Sequence, residues 1–412
     1  LSLVQINPKT TASNDRLALF DLGFRPFFLG AGVFSVLSII AWTLVYSFQI
    51  PASTGPLSLF EWHAHQMIYG FSMAVIAGFL LTAILKWTNV ETLHSNPLKL
   101  LFVCWAIPRV ALLFGVRFIE VAALFDAMFL LGLCYGVSAP IVAVRQWKQI
   151  GILTKLLLLA AGNICFYLDA FNVYSNGAFI GVYGGLLLII SLILTIGGRV
   201  MPAFIKNSLT HSVEIRNPFW VTIATLILFL IFSVNILFIQ HHITTGLTAA
   251  VLFMLTSYRL ICWHTPGIWK APLLWGLFVA YIFISVGFLL YALHVFASVS
   301  FLIAVHSFSY GGIGLATLSM MIRVTLGHTG RSIRTPPPGT GVLISCLTLG
   351  AIIRVFGPLV VTDQYRQIIL ASQVLWVLAF VGFTLLVTKM LISPRADGLA
   401  DIPSANLKHA KR

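Results

Sequence analysis

Long apolar runs, broken at short intervals by basic turns, constrain this chain more than any motif in it. A run of roughly 20 apolar residues is long enough to cross a bilayer as a helix, and inside hydrocarbon a backbone satisfies its own polar groups only as a helix or a closed barrel. Twelve such runs can be read, at about 24–48, 60–85, 98–116, 118–142, 153–175, 178–197, 217–239, 243–261, 271–292, 297–323, 340–361 and 367–392. Composition agrees, with 59% of residues hydrophobic and 9% charged, where a soluble domain carries about a quarter charged. The expected fold is an all-α integral membrane protein of about twelve transmembrane helices. Residues 24–392 form a single transmembrane domain between an N-terminal segment, 1–23, and a basic tail, 393–412.

A net charge of +14 would suit nucleic acid if it were clustered, but the basic residues are scattered between the apolar runs. Once the loops alternate, all of the 25 Lys and Arg except Arg109, Arg117, Arg354 and Arg366 fall on one side. That is the positive-inside pattern, so both termini are expected in the cytoplasm, with membrane lipid as the surrounding partner and no nucleic acid. The first twenty residues are polar and show no apolar segment followed by a small-residue cleavage site, so the first span serves as the targeting signal. The cysteines, Cys104, Cys134, Cys165, Cys262 and Cys346, sit inside apolar runs without C-x-x-C spacing and read as small apolar fillers. The loops around 199–216 and 324–339 are too short to bury a core, and Pro336-Pro337-Pro338 marks a stiff connector.

The chemistry concentrates in the second run, which begins EWHAHQMIYGF at Glu61. Ser58 and Glu61 form a capping box for the helix start, giving Glu61 a structural role. His63 and His65 are two residues apart, about 200° on a helical wheel, so only one of them can face a given site. The pattern H-x-x-x-Y-G, His65 to Tyr69 and Gly70, recurs at His306, Tyr310 and Gly311, and Tyr183-Gly184-Gly185 echoes it with Phe179 in place of the histidine. By topology His65 and His306 lie at matching depth on helices of the same direction, and an intramembrane ionisable group usually marks a ligand or a pathway. Arg109 and Arg354 each follow one helix later and need an acidic or multi-acceptor partner, for which the carboxylates Asp126, Glu120 and Asp363 are available. The other histidines divide by side: His94, His211, His264, His328 and His409 toward the cytoplasm, and His241, His242 and His294 toward the outside.

Five segments then carry a resemblance. FRPFFLGAG from Phe24, EWHAHQMIYGF from Glu61, AGFLLTA from Ala77, GGRVMPAF from Gly197 and RVTLGHTGR from Arg323 together resemble the signature segments of the NnrS family, in family order and over nearly the whole chain. The resemblance implies a twelve-helix bacterial inner-membrane protein, associated with heme and copper, that helps cells tolerate nitric oxide and nitrosative stress. Two departures stand out: Gln66 replaces the usual glutamate, and Leu85-Lys86-Trp87 replaces Pro-Asn-Trp.

The three echoes suggest three pseudo-repeated four-helix units, similar in layout to heme-copper oxidases, whose helices two and ten supply axial histidines. On that layout His65 and His306 ligate one heme iron, Tyr69 and Tyr310 pack at its edge, Gly70 and Gly311 admit the flat macrocycle, and Arg109 and Arg354 hold its propionates. Copper, if it is the second metal, would fall to His63, His241, His242 and His294. The expected function is protection against nitric oxide by binding, sensing or redox handling, which leaves a nitric oxide-handling oxidoreductase with an electron-transfer partner open. A secondary transporter without heme is the competing class, with Asp169 and Asn172 as its best candidates. A third reading, turnover at a heme beside a copper, is weakened by Phe179.

The charge alternation makes a direct prediction: reporter fusions after Arg412 and Lys155 report cytoplasm, and one in the His241-His242 loop reports the outside. A cytoplasmic signal from that loop overturns the helix count.

Overall fold

The structure is a computed structural model that describes residues 16–51, 56–112, 118–209, 213–361 and 363–401. Among these, eleven helices are long and apolar enough to cross a membrane: α1 Phe24–Ser47, α2 Leu59–Thr88, α4 Ile119–Ala143, α5 Trp147–Ala170, α6 Gly177–Ser208, α7 Phe219–Ile239, α8 His242–Trp263, α9 Pro272–Ala297, α10 Phe301–His328, α11 Thr340–Val360 and α12 Tyr365–Ile392. The 17-residue helix Ser95–Ala111 is α3 and completes the twelve, at the short end of the spanning range. The all-α multi-span class stands. Arg117, His211 and His409 lie outside the described residues.

Two boundaries differ from the hydropathy reading for identifiable reasons. Helix α5 stops at Ala170, because Asn172 and Asn176 adopt left-handed backbone (φ 57° and 77°) and the Asp169 carboxylate accepts the Ala178 amide at 2.8 Å. Helix α6 continues to Ser208, through Gly197, Gly198 and Pro202. The glycine pair does not end the helix; it makes room for Tyr281 against Gly197 and Arg259 beside Gly198.

The equivalent helices of the three four-helix units, α2, α6 and α10, touch one another. Helix α2 is the most enclosed, buried over 83% of its apolar stretch, against 28% for α7 and α11. Between membrane helices, where lipid is as apolar as leucine, close packing replaces hydrophobic exclusion. Helices α5 and α6 show how: a side chain at Gly181 would meet the Gly162 carbonyl 2.6 Å away, so the two backbones approach to a distance only glycine permits.

The ends of the chain close on each other. Arg25, fully buried at the start of α1, donates to the carbonyls of Met390 (3.2 Å), Leu391 (2.9 Å) and Ser393 (2.8 Å) and pairs with Asp401 at 2.9 Å. The amide of Ala18 reaches Ile392 O, Ala396 reaches Thr329 O and Ser95 reaches Phe20 O. The starts of α1 and α3 and the ends of α10 and α12 therefore share one face, as even helix counts between them require.

Candidate functional site

The expected capping box opens α2: Ser58 Oγ accepts the Glu61 amide at 3.2 Å and Glu61 Oε2 accepts the Ser58 amide at 2.7 Å. The helix is regular from Leu59 to His65, then widens into a π-helical segment, Gln66–Ser72. Helix α10 does the same, regular from Phe301 to His306 and π-helical from Ser307 to Gly314. Such wide turns are rare and frequent at functional sites. Both follow directly on a histidine.

His63 and His65, on opposite sides of this helix, meet different surroundings. His63 lines a cavity of about 200 Å³ that His306 and Arg354 also line, together with Trp42, Tyr46, Tyr183, Tyr310, Tyr365 and Trp376. The His63 ring stacks on Trp42 at 4.3 Å and 10°, and its buried Nδ1 has no hydrogen-bond partner. Across the cavity His306 Nδ1 lies 2.7 Å from the Leu302 carbonyl. A carbonyl only accepts, so Nδ1 carries the proton and the Nε2 lone pair receives Arg354 Nη2 at 2.8 Å. The cavity thus holds two imidazoles, one with an unpartnered nitrogen and one with a lone pair held by a guanidinium.

His65 is fully buried elsewhere, stacked on Phe166 at 4.1 Å. Its Nε2 lies 2.8 Å from Asn163 Oδ1 and 3.8 Å from Asp126 Oδ2. Asp126 also accepts from Tyr167 at 2.7 Å and is ion-paired to Arg109, which reaches Gln66 Oε1 at 3.3 Å. The pair expected to face one ligand, His65 and His306, is therefore not brought together; it is His63 that shares the cavity wall with His306. Arg109 likewise takes the protein carboxylate Asp126, and only Arg354 reaches the cavity.

The tyrosines and glycines of the repeated motif are packing elements. Tyr69 donates to Gly181 O and Tyr310 to Ser372 O, at 2.8 and 2.7 Å, joining α2 to α6 and α10 to α12. Gly70 makes room for Phe34 and the Arg109 guanidinium, and Gly311 for Phe283. Neither glycine lines the cavity, whose wall does include Tyr310. The histidines proposed for copper are not gathered either: His241 accepts the Thr244 amide at the head of α8, His294 Nδ1 faces Val299 O at 2.7 Å, and His63 is in the cavity. Among the described residues no group of three or more His, Cys, Asp or Glu is placed to hold a metal ion. Sequence reading missed Trp42, Tyr46, Asn163 and Tyr167, which reach the two sites from α1 and α5; Asn163 and Tyr167, polar residues inside an apolar run, were the available signal.

The Asp126 cluster predicts a stability series. Asp126→Ala, which strands the buried Arg109 charge, should cost about 3–5 kcal/mol, whereas Tyr167→Phe should cost about 1 kcal/mol. The double variant Arg109→Met/Asp126→Leu should recover most of the loss. Unfolding midpoints of the purified proteins in detergent rank the three.

A family model described as NnrS protein matches residues 18–395, nearly the whole chain. A search of curated proteins finds no match.

Proposed function

Since the chain belongs to the NnrS family, whose members are nitric oxide-related membrane proteins, we propose that it is a heme protein that binds or senses nitric oxide in the cavity between His63 and His306. The observation that carries this reading is a pair of imidazoles in the wall of one cavity, His63 with an unpartnered Nδ1 and His306 with its Nε2 lone pair held only by the Arg354 guanidinium. The residues fit the group. His63 would supply one nitrogen donor and His306 a second once Arg354 turns from its Nε2 to a carboxylate of the group, and the rings of Trp42, Tyr46, Phe71 and Trp376 would give apolar faces for a flat macrocycle. A heme bound there would supply an iron that exchanges one electron and, on displacement of one imidazole, takes nitric oxide.

The chain's own contribution is orientation and dryness. Leu302 O fixes the His306 tautomer and so leaves Nε2, on which Arg354 rests, as the nitrogen with the lone pair. Trp42 holds the His63 ring by stacking. Aromatic and aliphatic side chains make up most of the wall, which keeps water from competing for the same nitrogens. The basic residues collected on one side support insertion in a bacterial inner membrane with both termini in the cytoplasm.

The transporter reading loses its best candidates. Asp169 accepts the Ala178 amide at the start of α6 and Asn172 occupies the left-handed turn between α5 and α6, which gives both a structural role.

The test is an optical spectrum of detergent-purified protein expressed with added heme. The wild type should show a Soret band, and His63→Ala and His306→Ala should each lose it or shift it. His65→Ala and His328→Ala should keep it, the latter lying about 33 Å from His306 along α10. A colourless wild type, or unchanged spectra in both His63 and His306 variants, would refute the assignment.

A further inference from the structure

A second cavity, of about 110 Å³, adjoins the first at Ser72, the one residue that lines both, and is walled by α2, α6, α9 and α10. On α2 the lining of the first cavity ends at Ser72 and that of the second begins there; on α6 it passes from Leu186 to Ile189, and on α10 from Ile313 to Ala316. From His63 to Leu80 the two together cover about 25 Å of α2.

The second cavity has no charged group in its wall, and its three hydroxyls already donate to main-chain carbonyls: Ser72 to Met67 O at 2.8 Å, Thr317 to Ile313 O at 2.7 Å and Tyr281 to Ile193 O at 2.6 Å. A buried water needs two to four polar partners, and apolar cavities of similar size stay dry and take xenon. A polar solute would leave its own groups unpaired there.

We propose that this cavity is a binding site for a small apolar gas and the stage from which that gas passes Ser72 into the His63–His306 cavity. Delivery to the first cavity rests on the reading that nitric oxide is bound there; the gas site itself does not. A diatomic such as nitric oxide dissolves well in hydrocarbon, so a route through the helix bundle from within the membrane suits it, and the absence of free donors keeps water and ions from following.

Xenon is the probe. Crystals of the full chain under xenon pressure should show anomalous density between α2, α6 and α10, beside Ile193 and Ala316. Ala316→Phe, and separately Ile193→Phe, should abolish it. In the heme-loaded protein the same variants should slow nitric oxide rebinding after flash photolysis several-fold, with the Soret band unchanged. Xenon in a colourless protein would support the gas site while removing the heme reading. No xenon in the wild type, or a lipid acyl chain filling the cavity, would overturn the site. Unchanged rebinding in both variants would overturn the delivery role.

Discussion

Inside hydrocarbon a polar side chain finds its partner in the protein or goes without, and this constraint separates the two histidines of α2. His65 is bonded into a network that includes one carboxylate and one guanidinium, Asp126 and Arg109, whose charges cancel. The Nδ1 of each ring is buried without a partner, but His63, two residues earlier, lines the cavity and His65 does not. The His65 ring is packed into the protein core and the His63 ring borders open space. Gln66 fits the same balance: its amide oxygen accepts from Arg109 without adding a second negative charge to a pair that is already neutral.

The wide turns of α2 and α10 relate the outer units of the bundle to each other. Each begins at the residue after a histidine and carries a tyrosine that bonds to the backbone of a third helix. The repeated sequence motif is therefore real as a structural repeat, and its tyrosine and glycine serve packing. Helix α6 keeps the tyrosine, as Tyr183 in the cavity wall, but is α-helical throughout. The three helices meet at the centre with two of them specialised.

Hydropathy and capping are local properties, which is why the twelve spans, their alternation and the Ser58–Glu61 box were legible in the sequence. Facing was not, because one residue turns a helix by about 100°, so a two-residue ambiguity at His63 and His65 exchanged the cavity for the core. The partners decide such cases, and Asn163, Tyr167 and Trp42 come from helices whose packing no local pattern encodes. The Arg109 carboxylate was visible among three alternatives; only contact between α3 and α4 selects Asp126. Likewise Gly197-Gly198 reads as a stop until Tyr281 is seen lying against it.

Arg25 sets an order of events. Its partners, the carbonyls of Met390, Leu391 and Ser393 and the carboxylate of Asp401, are synthesised more than 360 residues after it. During biogenesis the first helix therefore enters the membrane with its guanidinium hydrated at the surface, a basic anchor of the kind that fixes orientation. Burial of that charge waits until the last helix has left the ribosome. The seam between α1 and α12 thus closes only after Asp401 has been made, and a chain cut before α12 would carry an unquenched cation where the longer one has a lock.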